Sequence, residues 1–293
     1  MSPHATPAIR TWLITGATRG IGLEIARAAL AAGENVVATG RDPDRVTAAL
    51  GSHDRLLALR LDVCEASEAD AAVEAAIARF GRIDVLVNNA GYGQLGMFEE
   101  VDARQVERQF ATNVFGLMNV SRAVLPVMRA QRSGHIFNLS SIGGAIGFPG
   151  GSLYCATKFA VEGFSDSLAQ EVQDLGIVVV IVEPGFFRTD FLDEHSVRYG
   201  EHRIDDYAEA SDALREFYET RNHQQAGDPA KLAANIVTLA RHEAPPRRYA
   251  AGSDAIGMLR ETYRSRREEL DRWQTLSLST DIEAPEETEP VPA

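Results

Sequence analysis

The chain has 293 residues, which is close to the upper limit of what one hydrophobic core supports, so we expect one domain with an embellishment. Its formal net charge of −13 argues against wrapping nucleic acid or binding an anionic membrane surface. Two cysteines are too few for a disulfide framework, and no apolar run approaches the roughly 18 residues of a membrane span, so we expect a cytoplasmic protein.

Short runs of β-branched residues alternate with alanine-rich helical patterns from residue 11 onward. Strands are predicted over 11–15, 35–40, 55–62, 84–90, 135–141, 178–184 and 247–252. Several of these runs are almost entirely apolar, which is typical of parallel strands covered on both faces. The repeated strand–helix–strand units predict an α/β fold: a doubly wound, Rossmann-type parallel sheet of about seven strands with helices on both faces.

A glycine-rich turn, "TGATRGIG" over residues 15–22, follows the first predicted strand and runs into a helix. Gly16 can make the tight turn, Gly20 lets the backbone approach a pyrophosphate, and Gly22 permits close packing of helix on strand. The phosphates would face the positive N-terminus of that helix. The spacing G-x-x-x-G-x-G is a relative of the standard dinucleotide pattern, and its place in a strand–helix–strand unit favours a dinucleotide site over a purely structural turn.

The end of the second predicted strand, "ATGRD", indicates which nucleotide is bound. An NAD site usually has an acidic side chain there to hold the ribose hydroxyls, whereas an arginine suits a 2′-phosphate. Thr39 and Gly40 occupy the acid's place, and Arg41 follows, with Arg19 as a second guanidinium in the glycine turn. Asp42 is expected to cap the next helix. This pattern favours NADP over NAD, unless Arg41 is only a solvated loop residue.

Tyr154 and Lys158 are four residues apart in "YCATKFAVEGF", so a helix places them on one side, one turn from each other. A free tyrosine has a pKa of about 10 and is a poor proton shuttle at neutral pH. A positive charge within about 4–6 Å favours the phenolate, so we expect Lys158 to lower the pKa of Tyr154 and make it a general acid–base.

Two segments depart from the strand–helix rhythm. Residues 186–227 are long for a simple connection and follow the carboxyl end of a strand, where open α/β sheets bind ligands, so we predict a substrate lid. Residues 274–293 are acidic and proline-rich towards their end and are predicted to be a disordered tail. The remainder, 8–273 with the lid included, is predicted to be one dinucleotide-binding and catalytic domain.

Five motifs in order and in register make the chain resemble the short-chain dehydrogenase/reductase family from residue 11 to about 260. They are "TGATRGIG", "NNAG" (88–91), "LSSIGG", "YCATK" and "PGFFRT" (184–189). The stretches "ATKFAVEGFSDSL" and "VEPGFFRTDF" further resemble the hydroxysteroid and retinol dehydrogenase branch of that family.

The resemblance implies a catalytic tetrad of Asn113, Ser141, Tyr154 and Lys158. The family's serine precedes its tyrosine by thirteen residues, which selects Ser141 over Ser140. Tyr154 would protonate the carbonyl oxygen, Ser141 would hydrogen-bond it, and Lys158 would hold the ribose hydroxyls of the nicotinamide. Asn113 would hold a water that links Lys158 to solvent.

The resemblance also implies a set of cofactor contacts, with Asp62 at the adenine, Asn89 to Gly91 lining the groove, and Thr189 with the backbone after Pro184 at the carboxamide. The full set is Gly16, Thr18, Arg19, Gly20, Ile21, Arg41, Asp62, Val63, Asn89, Ala90, Gly91, Tyr154, Lys158, Pro184, Gly185 and Thr189. No metal site is expected, because the seven histidines include no H-E-x-x-H pair.

Without the family match, several of these residues have simpler interpretations. Ser141 could cap a turn, Lys158 could extend along the helix to solvent, and Asn113 could be either a solvent-facing residue or a functional kink. Phe148, Phe186, Phe187 and Phe191 suggest an apolar substrate pocket.

The leading functional hypothesis is an NADP(H)-dependent carbonyl reductase or alcohol dehydrogenase that interconverts a small hydrophobic ketone and a secondary alcohol. One alternative is a catalytically silent NAD(P)-binding redox sensor, which would need the glycine turn but not Ser141, Tyr154 and Lys158. Another is a Rossmann-type epimerase or methyltransferase. Such epimerases have a different glycine pattern, and methyltransferases have no need of the Tyr–Lys pair. The family resemblance implies a homodimer or homotetramer formed through the helix that carries Tyr154.

Overall fold

The computed structural model describes residues 9–193 and 196–282. Its main sheet consists of β1 (Thr11–Ile14), β2 (Asn35–Gly40), β3 (Leu56–Arg60), β4 (Val85–Asn88), β6 (Gly134–Leu139), β7 (Ile177–Pro184) and β9 (Arg248–Ala251). A second, two-stranded sheet pairs β5 (Gly93–Leu95) with β8 (Val197–Tyr199). All seven predicted strands are present, with bounds that differ from the prediction by no more than two residues at either end.

The strand order in the main sheet is β3-β2-β1-β4-β6-β7-β9, and every neighbouring pair is parallel. The chain winds outward from β1 in one direction through β2 and β3, and then in the other direction from β4 to β9. The doubly wound Rossmann-type prediction is therefore confirmed. The direction of winding reverses between β1 and β4, and the crevice at the carboxyl ends of those strands is where such sheets bind ligands.

Helices cover both faces of this sheet. They are α1 (Gly20–Ala31), α2 (Pro43–Leu50), α3 (Ala66–Phe80), α4 (Ala103–Phe110), α5 (Leu117–Gln131), α6 (Ser152–Val172), α7 (Ala208–Arg221), α8 (Pro229–Arg241) and α9 (Ser253–Leu278). The apolar sides of α1 and α8 pack on one face and those of α3, α5 and α6 on the other, forming two separate cores. This two-sided burial explains why the strands are apolar along their whole length.

Local sequence signals account for several helix starts. Asp42 accepts a hydrogen bond from the Asp44 N–H, which confirms the prediction that it caps α2. Asp102 and Gln105 form a reciprocal capping box at the start of α4. Between α4 and α5, residues Ala111–Gly116 form one turn of π-helix, a feature that often marks a functional site.

Two segments differ from the expectation or add to it. Helix α9 continues to Leu278, so residues 274–278 are helical and the predicted start of a disordered tail at 274 is wrong. The prediction for 283–293 falls outside the described residues. The predicted lid contains β8 and α7, and its two ends meet where Phe187 and Gly227 form a parallel bridge.

Within residues 9–193 and 196–282, no helix combines the length and the apolar content that crossing a bilayer requires.

Candidate active site

The glycine turn lies directly against the carboxyl end of β4. Gly16 has a φ of +66°, in the left-handed region that favours glycine. A Cβ at Gly22 would come within 2.3 Å of the Asn89 amide nitrogen and 2.6 Å of the Gly16 carbonyl oxygen, so the first turn of α1 can approach this closely only because residue 22 has no side chain. The side chain of the residue before α1 does not cap the helix, and the first backbone N–H groups therefore suit an anion such as a pyrophosphate.

Asn89 braces this turn. Its side-chain nitrogen donates to the carbonyl oxygens of Thr15 at 2.9 Å and Gly16 at 3.1 Å. The Thr15 hydroxyl in turn accepts the N–H groups of Asn89 and Ala90, each at 3.0 Å. The carboxyl ends of β1 and β4 are thus tied into one rigid edge. Asn89 contributes through this bracing, a role that the sequence alone did not reveal.

The last two residues of β2, Thr39 and Gly40, carry no acidic side chain. Thr39 is fully buried and its hydroxyl donates to the Ile14 carbonyl oxygen at 3.1 Å. A Cβ at Gly40 would come within 2.5 Å of the Thr18 methyl carbon, so a side chain there would require Thr18 to move. Asp42 is engaged as the α2 cap. Arg41 follows as an exposed residue whose carbonyl accepts a hydrogen bond from Arg60.

The other predicted cofactor residues lie along the same edge of the sheet. Asp62 and Val63 follow β3, where one Asp62 carboxylate oxygen accepts the Cys64 N–H at 3.1 Å. Pro184 ends β7, and Thr189 lies 3.6 Å from the Cβ position of Gly20, so the segment after β7 meets the glycine turn. The remaining members lie at the start of α1 or beside the end of β4; they are Arg19, Ile21 and Gly91. Gly185 donates its N–H to the Ala251 carbonyl oxygen.

Tyr154 and Lys158 lie on the first two turns of α6 and are both almost fully buried. The Lys158 ammonium nitrogen is 5.7 Å from the centroid of the Tyr154 ring, so the predicted juxtaposition is present. The same nitrogen donates to the Leu139 carbonyl oxygen at 2.7 Å, which ties it to the carboxyl end of β6. Burial lowers the pKa of Lys158 to about 8, and the nearby Glu162 carboxylate opposes that change.

The pKa of Tyr154 differs from the expectation. Burial raises it to about 12, and the hydrogen bond with the Ser141 hydroxyl only partly offsets this rise. The prediction that the pKa of Tyr154 lies below that of a free tyrosine is therefore wrong for the protein by itself. The sequence argument weighed the charge of the ammonium but not the loss of hydration around the phenol, which is the larger effect here.

Ser141 sits where β6 gives way to a short 3₁₀ helix, Ile142–Gly144. Its hydroxyl oxygen accepts the Gly143 N–H at 3.1 Å and hydrogen-bonds the Tyr154 phenol. The predicted turn cap is therefore present, and the hydrogen bond with the phenol is an additional contact that the sequence did not reveal. The cap fixes the serine while its hydroxyl remains beside the phenol.

Asn113 lies in the π-helical turn, so it marks a distortion of the helix and is buried. Its side-chain oxygen accepts the Tyr92 N–H at 3.1 Å, and its nitrogen donates to the Tyr92 carbonyl oxygen at 3.0 Å and to the Thr157 hydroxyl at 3.2 Å. Thr157 donates to the Tyr154 carbonyl oxygen at 2.8 Å. Asn113 therefore reaches the first turn of α6 through Thr157, a link that the sequence did not reveal.

A second buried polar group adjoins the tetrad and was missed by the sequence analysis. Glu162 lies one turn beyond Lys158, and its carboxylate accepts from the Arg248 guanidinium at 3.1 Å. Glu183, in β7, has a carboxylate oxygen 4.0 Å from the same guanidinium. Burial and the repulsion from Glu162 raise the pKa of Glu183 to about 7. A glutamate at the end of the otherwise apolar run "IVVVIVEP" was the available signal.

The lid packs an apolar cluster onto the tyrosine. Phe191 lies with its ring centroid 5.7 Å from that of Tyr154, and Phe148, Leu95 and Tyr218 belong to the same cluster. Of the four phenylalanines predicted to form a pocket, Phe148 and Phe191 are in this cluster. The other two are not: Phe187 packs against the core on one face of the sheet, and Phe186 is exposed.

Three potential metal ligands lie together in the lid: oxygen or nitrogen atoms of Asp190, Asp193 and His223 are all within 4.8 Å of one another. One Asp193 carboxylate oxygen already accepts a hydrogen bond from Asn222 at 2.7 Å and lies 3.0 Å from the His223 ring nitrogen. These contacts join the segment before β8 to the segment after α7.

The assembled site can therefore supply a protonated phenol, a serine hydroxyl beside it and a buried ammonium, under an apolar cover. It opens on the edge where the glycine turn, the end of β4 and the segment after β7 meet. The arrangement places a phenol, a hydroxyl and an ammonium beside an edge of the sheet whose glycine turn suits a dinucleotide.

Comparison with known proteins identifies the class of protein. The model of the short chain dehydrogenase family matches residues 10–199. The chain belongs to the short-chain dehydrogenase family and is an oxidoreductase that binds a nicotinamide cofactor. It is 37% identical over 273 residues to oxidoreductase BOA17 of Botryotinia fuckeliana (strain B05.10), which covers 92% of this chain and 99% of that protein.

A solved short-chain dehydrogenase from Streptomyces avermitilis is 41% identical, with a TM-score of 0.86, and the match covers 94% of this chain and 100% of that one. The 3-ketodihydrosphingosine reductase of Bacteroides thetaiotaomicron is 39% identical over 241 residues, covering 82% of this chain and 87% of that protein. Solved neighbours hold either nucleotide. A Burkholderia phymatum enzyme with NAD is 25% identical (TM-score 0.71, 82% of this chain, 88% of that one). ElxO with NADP is 27% identical (TM-score 0.68, 82% of this chain, 96% of that one).

Proposed function

We propose that the chain is an NADP(H)-dependent oxidoreductase that interconverts a hydrophobic ketone and a secondary alcohol, with Tyr154 as the general acid–base. The observation that carries this proposal is the buried Tyr154 phenol, which is hydrogen-bonded to Ser141, one helical turn from Lys158 and covered by the apolar lid cluster. A sensor that only binds nucleotide has no use for this arrangement.

The protonation states support reduction of a carbonyl. With its pKa raised to about 12, Tyr154 is protonated at neutral pH and can donate to the carbonyl oxygen. Ser141 is placed to hydrogen-bond the same oxygen and hold it beside the phenol. Lys158, with a pKa of about 8, is mostly protonated at pH 7 and stabilises the phenolate left after the proton is given up. When bound, the reduced nicotinamide supplies the hydride.

The surroundings of β2 support NADP over NAD. Thr39 is buried, Gly40 has no side chain, and the Asp42 carboxylate is engaged in capping α2, so the place of the ribose-binding acid holds no acidic residue. Arg41 is exposed at the same strand end, where a guanidinium suits a 2′-phosphate.

The apolar character of the lid supports a hydrophobic substrate. Phe191 and Phe148 pack in the cluster that contains the Tyr154 ring, so a substrate next to the phenol contacts aromatic and aliphatic side chains. The relative that reduces 3-ketodihydrosphingosine, by its name, also acts on a ketone.

The decisive experiment measures NADPH oxidation with a panel of apolar ketones. Tyr154→Phe removes only the hydroxyl, and we expect kcat/KM to fall by about 10³-fold or more, since no other group replaces the proton donor. Tyr249→Phe, which removes from β9 a phenol hydroxyl that accepts a hydrogen bond from Asn235 of α8, should retain the wild-type rate. Equal turnover by wild type and Tyr154→Phe would refute the catalytic assignment. Wild-type protein that binds NADPH but reduces no ketone would favour the silent sensor.

The cofactor assignment has its own test. Arg41→Asp should raise the KM for NADPH about 100-fold, equivalent to about 2.7 kcal/mol, because it replaces the cation at the 2′-phosphate with an anion. The KM for NADH should change little. Arg45→Asp makes the same charge change one turn away in α2 and serves as the control. Equal losses with NADPH and NADH would remove Arg41 from the nucleotide site.

A further inference from the structure

The segment 185–191 connects two parts of the candidate active site. Thr189 meets the glycine turn, 3.6 Å from the Cβ position of Gly20. Two residues further on, the Phe191 ring lies against the Tyr154 ring, with their centroids 5.7 Å apart. A dinucleotide with its pyrophosphate at the glycine turn and its reacting ring beside the phenol has to run along this segment. The course of the segment therefore affects how well the nicotinamide half of the nucleotide fits.

The start of this segment is fastened to β9 and α9 by two hydrogen bonds. Gly185 donates its N–H to the Ala251 carbonyl oxygen, at the end of β9, at 2.9 Å. Phe186 donates its N–H to one carboxylate oxygen of Asp254, at the start of α9, at 2.7 Å. The first of these bonds is made by backbone alone, whereas the second depends on the side chain of Asp254.

The next backbone partners of the segment lie in the predicted lid, 186–227. The Phe186 carbonyl oxygen accepts the Gly227 N–H at 3.0 Å, and the Arg188 N–H donates to the Gly227 carbonyl oxygen at 2.8 Å. These two bonds join the ends of the lid to each other and not to the sheet. Among the hydrogen bonds of the described residues, the one that Asp254 accepts is therefore the last between this segment and α9 before the lid begins.

The fold gives the Asp254 carboxylate a defined place. It lies in the first turn of α9, where the helix dipole favours a negative charge, and its other oxygen accepts the Ala255 N–H at 2.9 Å. A Cβ at Gly185 would come within 2.4 Å of both carboxylate oxygens, and a Cβ at Gly252 within 2.4 Å of one of them. The carboxylate therefore occupies space that side chains at these two positions would fill.

We propose that Asp254 is a positioning residue for the nicotinamide half of the cofactor, acting through its hydrogen bond to the Phe186 N–H and the course of the segment 185–191. The proposal rests on the proposed function only in requiring a nicotinamide dinucleotide at this edge of the sheet. It is the same for NADP(H) and NAD(H), and it does not depend on which ketone is reduced.

The test measures binding and does not depend on turnover. Isothermal titration calorimetry gives the dissociation constants of NADPH and of 2′,5′-ADP, which carries the adenine half of NADPH without the nicotinamide. Asp254→Ala should raise the dissociation constant of NADPH by about tenfold or more, because the Phe186 N–H loses a charged acceptor. The dissociation constant of 2′,5′-ADP should stay within about twofold of wild type, and its binding also shows that the variant is folded.

Two further variants serve as controls. Asp254→Asn keeps an oxygen that can accept the Phe186 N–H, so it should bind NADPH within about threefold of wild type. Asp102→Ala removes a capping carboxylate from α4, where it accepts the Gln105 N–H. This change should lower the stability of the fold and leave the binding of both ligands unchanged.

A different cofactor preference would leave this role of Asp254 open to the same comparison. If the wild-type chain binds NADH and ADP more tightly than NADPH and 2′,5′-ADP, the proposed cofactor is wrong. Asp254→Ala should then weaken the binding of NADH by about tenfold and spare that of ADP.

Three results would overturn the proposal. The first is an equal loss of NADPH and 2′,5′-ADP binding in Asp254→Ala, which would make Asp254 a residue that stabilises the fold as a whole. The second is NADPH binding by Asp254→Ala within about twofold of wild type, since the segment would then be held without this side chain. The third is an Asp254→Asn chain that binds NADPH as weakly as Asp254→Ala, because the hydrogen bond to Phe186 would then not carry the effect.

Discussion

Lys158 and Glu162 are two buried ionisable residues one turn apart on α6, 8% and 7% exposed, and their surroundings differ. Lys158 faces the cleft with its ammonium bonded to the Leu139 carbonyl oxygen and close to the Tyr154 ring. Glu162 lies on the same side of the helix one turn further along, where its carboxylate bonds the Arg248 guanidinium that also lies 4.0 Å from Glu183. Burial shifts the pKa of each residue toward its neutral form: down for Lys158 and up for Glu162.

The difference between them lies in what surrounds the charge. Lys158 lies beside Tyr154 and Ser141 near the edge of the sheet that carries the glycine turn. Its ammonium bonds the Leu139 carbonyl oxygen, and the Tyr154 phenol bonds Ser141. The glutamate belongs to a group in which Glu162, Asp166 and Glu183 share the Arg248 guanidinium, and one Glu183 carboxylate oxygen accepts no hydrogen bond from the described residues. A shifted pKa alone does not identify a catalytic group; access to the cleft and to a reacting partner does.

The sharpest test of this comparison is to remove each charge in turn. Lys158→Met should lower kcat/KM for ketone reduction by about 10³-fold, because it removes the cation that stabilises the Tyr154 phenolate. Glu162→Gln should lower it by less than about tenfold. Steady-state kinetics with NADPH measures both, and Lys231→Met, at the exposed second lysine of the chain, is the control.

Lys158→Met should affect stability far less than activity. It removes the cost of burying a charge but also the hydrogen bond to the Leu139 carbonyl oxygen, so its two effects on the midpoint of thermal unfolding oppose each other. If Lys158→Met keeps more than about a tenth of wild-type activity, the view that Lys158 serves catalysis and Glu162 serves structure would be contradicted.

The acid cluster should instead show itself in the pH dependence of stability. The pKa of Glu183 is raised to about 7 in the folded chain, above its usual value of about 4.3. Between those values the folded state holds more protons than the unfolded state, so the free energy of unfolding falls as pH rises through about 7. Glu183→Gln removes this decline and should raise the free energy of unfolding at pH 8, relative to pH 5, by about 2 kcal/mol.

Urea denaturation of wild type and variant at pH 5 and pH 8 measures that difference. Glu171→Gln, an exposed position on α6, should leave the pH dependence of wild type unchanged. If Glu183→Gln shows the same pH dependence as wild type, Glu183 is ionised throughout this range and its charge is better compensated by Arg248 than its burial indicates.

The sequence was sufficient for the features that depend on local pattern. The strands of the main sheet, the glycine turn and the juxtaposition of Tyr154 and Lys158 follow from spacing along the chain, because period and turn chemistry are local, whereas Ser141 and Asn113 were assigned by the family resemblance. The Glu162–Glu183–Arg248 cluster does not, since its members are up to 86 residues apart and meet only through the pairing of β7 with β9. The raised pKa of Tyr154 depends on how completely the lid and α6 exclude water, which no local pattern encodes.

The smallest expected effect is that of the Glu162 carboxylate on the pKa of Lys158, one turn away on α6. The Glu162 carboxylate opposes the effect of burial on Lys158, so Glu162→Gln should lower the pKa of Lys158 further below its present value of about 8. In a pH profile of kcat/KM, the decline on the alkaline side that follows loss of the Lys158 proton should move to lower pH by on the order of 0.5 units.

Asp166→Asn is the matched control, because Asp166 pairs with the same Arg248 guanidinium but does not shift the pKa of Lys158. Its alkaline decline should coincide with that of wild type. If Glu162→Gln also leaves the decline in place, or moves it to higher pH, then the field of the carboxylate does not reach the ammonium, and the two turns of α6 act independently. If the alkaline decline moves in Glu162→Gln but not in Asp166→Asn, then the Glu162 carboxylate stabilises the Lys158 charge on which catalysis depends.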